Sequence, residues 1–203
     1  MTRPAELPGL PPAPPATARV PARQALPPEV WEALTAHQPT RDRYSGYTCQ
    51  RRPDQCWYWT GAISDTGHGK LRAGTRARDG DGPASVVVTA HVYGYRLIYG
   101  APADPARSPV IAHRCDEPSC QNPAHWKLGT TASNAAEYIA RRGRGPLADS
   151  RGPAGRARAI AAAINAASKA AAGATPADVA AAIEAAIAQA AAAGLSTLQG
   201  ELF

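Results

Sequence analysis

Between Val110 and Asn134 the chain reads VIAHRCDEPSCQNPAHWKLGTTASN. His113, Cys115, Cys120, His125 and Asn134 follow one another at intervals of two, five, five and nine residues. Cys115, Cys120 and His125 are soft and borderline ligands at spacings that suit one tetrahedral zinc ion. A fourth ligand has to come from outside the run. Cys56, which opens CWYW, is the first choice because it introduces the preceding segment, and Cys49 is the alternative. A site of all four cysteines without His125 is a third arrangement. Two groups are left over. The His113 imidazole can take a proton from water near neutral pH. The Asn134 side-chain oxygen is a hard ligand suited to Mg²⁺. A base beside a hard cation suits metal-assisted phosphodiester hydrolysis, in which the cation stabilises charge on the scissile phosphate and the leaving oxygen.

Specific backbone elements must hold these groups. SPVIAH reads as a short strand ending at His113, and HWKLGT as a second strand. Thr130 or Thr131 can cap a helix through ASNAAEYIARR, which places Asn134 in its first turns. Gly143 and Gly145 end that helix. Folding strand, loop, strand and helix together brings His113 near Asn134. Upstream, PPEVWEALTAH predicts a short helix with Pro28 in its first turn and Val30, Trp31 and Leu34 on one face. CWYWTGAISDTGHGKLRAG predicts a β-hairpin, and ASVVVTAH a strand. HVYGYRLIYG spaces Val92, Tyr95, Ile98 and Tyr99 at helical intervals, with Gly100 as the stop. Downstream, residues 146 to 155 read as a linker. Two alanine-rich helices follow, with thin stripes of Ile160 and Ile164 and of Val179, Ile183 and Ile187. Thr175 caps the second. The fold class expected is α+β. It has a small zinc-stapled core with a preceding hairpin and helix, a Pro-rich disordered N-terminus and an Ala-rich helical tail. The domain reading is a largely disordered arm over 1–45, a core domain over 46–145, and a linker with helical hairpin over 146–203.

The run resembles the ββα-metal nucleases, the HNH or His-Me finger family. Its spacing is similar to that of the His-Cys box homing endonucleases and of HNH proteins of bacteriophages. The resemblance covers Cys56 to about Arg144, with NPAHW and LGTTASN resembling the second strand and helix start of the family. It implies that His113 is the general base, that Asn134 holds one catalytic Mg²⁺, and that Cys56, Cys115, Cys120 and His125 hold a structural zinc. Many HNH enzymes place an Asp or His just before the base, where this chain has Ala112; the His-Cys box relatives also lack an acid there. TAHVYGYRLIYG resembles an upstream segment of phage HNH proteins, so His91 is a candidate to orient phosphate or water. Arg72 or Arg76 is a candidate for the leaving group. Asn122 reads as a turn residue, and His37 and His68 as exposed.

Composition bears on partners and setting. The 203 residues carry a formal charge of +6, which favours a polyanion, double-stranded DNA before an acidic membrane. Arg114, Lys127, Arg141, Arg142 and Arg144 are the candidate phosphate contacts. The single Phe and single Met predict a small core of about 100 residues in need of a staple. No apolar h-region or membrane-spanning run is visible, so a cytoplasmic setting, in a bacterium or a phage-infected cell, is expected, with reduced cysteines. The terminal STLQGELF resembles the peptide that docks bacterial DNA-processing proteins on the sliding clamp, with Gln199, Leu202 and Phe203 as its contacts. Double-strand cutting would need a homodimer or two sequential events. The reading from sequence is thus a metal-dependent DNA endonuclease. A catalytically inactive zinc-stapled DNA-binding module is the alternative.

Overall fold

The computed structural model describes residues 26–76, 81–102 and 110–195. The chain is an α+β fold, built from α1 (Pro28–Ala36), α2 (Gln38–Gly46), β1 (Thr48–Cys49), β2 (Tyr58–Trp59), β3 (Lys70–Ala73), β4 (Val86–Thr89), α3 (Ala90–Tyr99), β5 (Val110–His113), β6 (Trp126–Gly129), α4 (Thr131–Arg141), α5 (Gly152–Ala170) and α6 (Pro176–Ala193). The strands pair as three antiparallel couples, β1 with β2, β3 with β4 and β5 with β6.

α1 forms where Pro28 and Glu29 favour a helix start. Its Leu34 is fully buried. α2 was not anticipated. QPTRDRYSG is polar, and only Thr40 and Tyr44, four residues apart, reach the interior. Leu34 and Tyr44 join Trp59, Leu71, Val88, Ala90 and Tyr93 in one core. The stretch 28–46, placed largely in the N-terminal arm from sequence, is therefore a wall of this core.

The hairpin expected over 56–74 forms only a remnant, a single bridge between Ile63 and Gly69. β2 pairs back with β1, and β3 pairs forward with β4, Leu71 opposite Val88. Trp59 explains the break. Its ring is buried and occupies the space beside Gly61 and Gly69, where a Cβ would collide with it. The chain turns instead through Ser64–Gly67, with Gly67 N–H donating to the Ser64 carbonyl at 3.0 Å and Ser64 N–H to that of His68 at 2.9 Å.

α3 spans the expected residues and stops at Gly100, whose φ of 77° suits glycine. Its inward face differs from the one expected. Ala90, Tyr93 and Gly94 are buried and Leu97 packs against them, whereas Ile98 and Tyr99 are exposed. Gly94 decides this, because a side chain there would strike the Tyr44 hydroxyl.

The alanine-rich helices are docked rather than separate. Ile160, Ile164 and Ile187 bury against Tyr58. The expected linker contains a 3-10 turn, Gly145–Ala148, and α5 begins at Gly152. Arg156 of α5 reaches Glu117, with Nε donating to Oε2 at 2.9 Å, and both side chains are buried. Arg156 also lies 3.4 Å from Asp149, and Arg51 pairs with Glu184 of α6. Glu117 sits between Cys115 and Cys120, so the hairpin braces the cysteine loop. Arg156→Ala would leave a buried carboxylate without its partner, a change that costs about 3–5 kcal/mol. Urea denaturation should show that loss, and a Glu117→Gln/Arg156→Met double variant should lose less.

Candidate functional site

The metal-ligating cluster is built by strapping two loops together. Trp59 N–H donates to the Ser119 carbonyl at 3.1 Å and Gln121 N–H to that of Trp57 at 2.7 Å. This sets Cys56 beside Cys120. Asn122, buried, accepts from Ala124 N–H at 3.0 Å and donates to the carbonyls of Pro53 and Gln55 at 2.8 and 2.6 Å. It is the turn residue expected, and it also ties down the loop before Cys56. Asp116 takes a left-handed φ of 56° and bends the chain between Cys115 and Glu117.

Ligand atoms of Cys56, Cys115, Cys120 and His125 all lie within 4.8 Å of one another, an arrangement that could hold a metal ion. His125 Nδ1 is 3.7 Å from the Cys56 sulfur and 3.5 Å from that of Cys120. Among the cysteine alternatives, Cys56 is the one in the cluster; Cys49 packs beside the Tyr58–Ile160 core. The three thiols cannot ionise independently. Hydrogen bonds from Cys120 and then Cys56 drive the Cys115 thiol far down, and bonding to Cys115 holds the Cys56 and Cys120 thiols up. The cluster thus readily supplies a first thiolate, the form that binds metal.

His113 ends β5 one strand away. Its Nε2 lies 3.0 Å from the Cys120 carbonyl, which also accepts from Trp126 Nε1 at 3.3 Å. A carbonyl only accepts, so Nε2 carries the proton and Nδ1 keeps its lone pair. Burial also lowers the His113 pKa, which favours the neutral ring. Asn134 is exposed in the first turns of α4, which Thr130 caps through a box with Ser133. His113 and Asn134 line one open groove of about 1130 Å³, together with His68, Lys70, His91 and Arg96.

Two residues of that groove were underrated or missed from sequence. His68, read as exposed, is half-buried with its ring 5.2 Å from that of His91, and its pKa falls to about 4, first through burial and then through His113 and Lys70. Arg96, which lies over the Trp31 ring at 4.5 Å, lines the groove together with Arg141. His91 is buried, donates Nε2 to the Ile111 carbonyl at 3.2 Å, and has its pKa pushed well down by burial and then by His113 and His68. Arg72 is exposed on β3; Lys70, two residues before it, is the cation of that strand at the groove.

Two curated proteins of Escherichia phage T7 are similar to this chain. Protein 2.8 is 28% identical over 84 residues, which cover 41% of this chain and 49% of that protein. Protein 7.7 is 28% identical over 86 residues, 42% of this chain and 56% of that protein. The chain spans about half the length of these relatives. No family model matches the chain, and no solved structure does.

The expected phosphate contacts divide into two sets. Lys127 is bound to Glu137 at 2.5 Å, and Arg141 pairs with Glu137 at 2.7 Å and Asp116 at 3.2 Å. Those charges are already engaged. Arg114, Arg142 and Arg144 are exposed. Gln199, Leu202 and Phe203 lie outside the described residues. Among the described residues, no helix is long and apolar enough to cross a membrane.

Proposed function

We propose that this chain is a metal-dependent DNA endonuclease of the HNH, or His-Me finger, type. One observation carries the reading: a neutral imidazole with its proton fixed on Nε2, His113, opens into the same cation-lined groove as the Asn134 carboxamide. In this reading His113 Nδ1 accepts a proton from water. The resulting hydroxide attacks phosphorus, the bond to the 3′ oxygen breaks, and that oxygen takes a proton from a second water, leaving a 5′-phosphate and a 3′-hydroxyl. Lys70 and Arg96 offset the phosphate charge. Asn134 would hold the divalent ion, Mg²⁺ by its hard oxygen, and that ion would supply charge to the leaving oxygen.

The four-ligand cluster suits zinc. A tetrahedral ion with sulfur at about 2.3 Å and nitrogen at about 2.0–2.1 Å sets S···N edges of roughly 3.6 Å. Two of the three edges at His125, those to Cys56 and Cys120, measure 3.7 and 3.5 Å. Zinc here is structural, since three thiolates and an imidazole complete the shell and leave no open position.

Double-stranded DNA is the proposed substrate, because the chain is basic and the groove carries cations. Arg142 and Arg144 follow the α4 helix and are the arginines of that run left free of Glu137 and Asp116. Replacing both with Ala should weaken DNA binding about equally for all sequences and reduce the slope of log K against log salt by roughly 2. Arg141→Ala should change that slope less. Filter binding across a salt series measures both.

The function itself is tested by incubating the full chain with supercoiled plasmid and Mg²⁺. Nicked or linear products that carry 5′-phosphates support it. DNA that is bound and never cut would instead mark an inactive DNA-binding module.

A further inference from the structure

Three imidazoles meet in the groove beside the thiolate cluster. His68 comes from the turn before β3, His91 from the start of α3 and His113 from the end of β5. A nitrogen of each lies within 4.8 Å of a nitrogen of each of the others. The ring centroids are 4.6 Å apart for His91 and His113, 5.2 Å for His68 and His91, and 6.1 Å for His68 and His113.

The second nitrogen of each ring is held by an oxygen. His91 Nε2 meets the Ile111 carbonyl at 3.2 Å, His113 Nε2 the Cys120 carbonyl at 3.0 Å, and His68 Nδ1 the Thr66 hydroxyl at 2.9 Å. The two carbonyls fix the N–H on Nε2 of His91 and His113, so both rings keep a lone pair on Nδ1. The Ser64 hydroxyl, 3.0 Å from that of Thr66, can donate to it, which leaves Thr66 free to accept from His68. His91 Nδ1 is buried and has no hydrogen-bond partner. With the His68 proton on Nδ1, no ring offers the others a donor, and a buried acceptor facing two further imidazoles then calls for a cation or a water. Rings whose outer N–H is held by a carbonyl have the support that metal-ligating histidines regularly have.

We propose that His68, His91 and His113 form a second metal site, distinct from the Cys56–Cys115–Cys120–His125 centre, for a borderline divalent ion of the zinc, nickel or cobalt class. Three nitrogens without a carboxylate disfavour Mg²⁺ and Ca²⁺. Three ligands also leave a position open to the groove. The regulatory consequence rests on the nuclease reading above: an ion here takes the lone pair with which His113 would accept a proton, so filling the site silences cleavage. Metal binding itself does not depend on that reading.

Cobalt(II) is the probe. The full chain, with the metal of its thiolate centre retained, is titrated with cobalt and followed by absorption and by equilibrium dialysis. The expected result is one added cobalt per chain, with d–d bands and no thiolate charge-transfer band. His68→Ala should weaken that binding at least tenfold, with its fold checked by circular dichroism. The same site is read without substitution from the imidazole ¹⁵N resonances of His68 and His91, which should move together as zinc is added to wild type. The proposal is overturned by cobalt that enters only with thiolate charge transfer, by an added cobalt whose affinity His68→Ala leaves unchanged, or by ¹⁵N resonances that do not move.

Discussion

Removing the metal from the Cys56–Cys115–Cys120–His125 centre is expected to unfold the domain that carries it. Zinc binding contributes about 10–16 kcal/mol in zinc-finger peptides, as much as the whole net stability of about 5–15 kcal/mol of an ordinary domain. The core here is small, and the cysteine loop is tied to β2 by a few backbone bonds and to α5 by the Arg156–Glu117 pair. Cys115→Ser and Cys120→Ser should each cause loss of metal and of near-ultraviolet circular dichroism together. Cys56→Ser should do the same, because its sulfur is part of the cluster. Cys49→Ser should keep both metal and fold. Elemental analysis beside thermal melts checks all four. A chain that stays folded and melts normally after complete chelation would remove the structural role of this centre.

The second large effect is on chemistry. Removing a positioned general base costs typically 10²–10⁴-fold in rate. His113→Ala should therefore cut cleavage by at least about 10²-fold. The ring bonds the Cys120 carbonyl, and that oxygen keeps the Trp126 indole as a second donor. The loop should consequently hold its shape, and metal content should stay at the wild-type level. This matters because EDTA would strip a structural and a catalytic ion alike and cannot separate unfolding from lost catalysis.

How much of this could be read from the sequence depended on distance along the chain. Cys115, Cys120 and His125 were legible because their ligand spacing is local. His113 and Asn134 were legible as candidates because one short strand and one capped helix place them, and both elements formed where expected. Cys56 and Cys49 stayed open as alternatives, since both lie well before the 113–134 run and only the bonding of Trp57 and Trp59 to the cysteine loop brings Cys56 in. His68 was missed because a histidine in a Gly-rich turn carries no spacing of its own. Alternation with Lys70 in the following strand was the available clue to a shared face. α2 was hidden by polarity, with two buried residues in nine. The inner face of α3 was misjudged because Gly94, not a large apolar residue, marks it. The bracing of the cysteine loop by α5 depends on Glu117 and Arg156, 39 residues apart, and a polar pair at that separation leaves no pattern.

The nuclease proposal is tested most directly by plasmid cleavage with wild type and His113→Ala side by side, at equal metal content and in Mg²⁺. Wild type should convert supercoiled DNA to nicked or linear forms. His113→Ala should bind the same DNA with unchanged affinity and cut it at least about 10²-fold more slowly. Equal rates for the two proteins, or no cleavage by a folded wild-type chain with its metal centre intact, would contradict it.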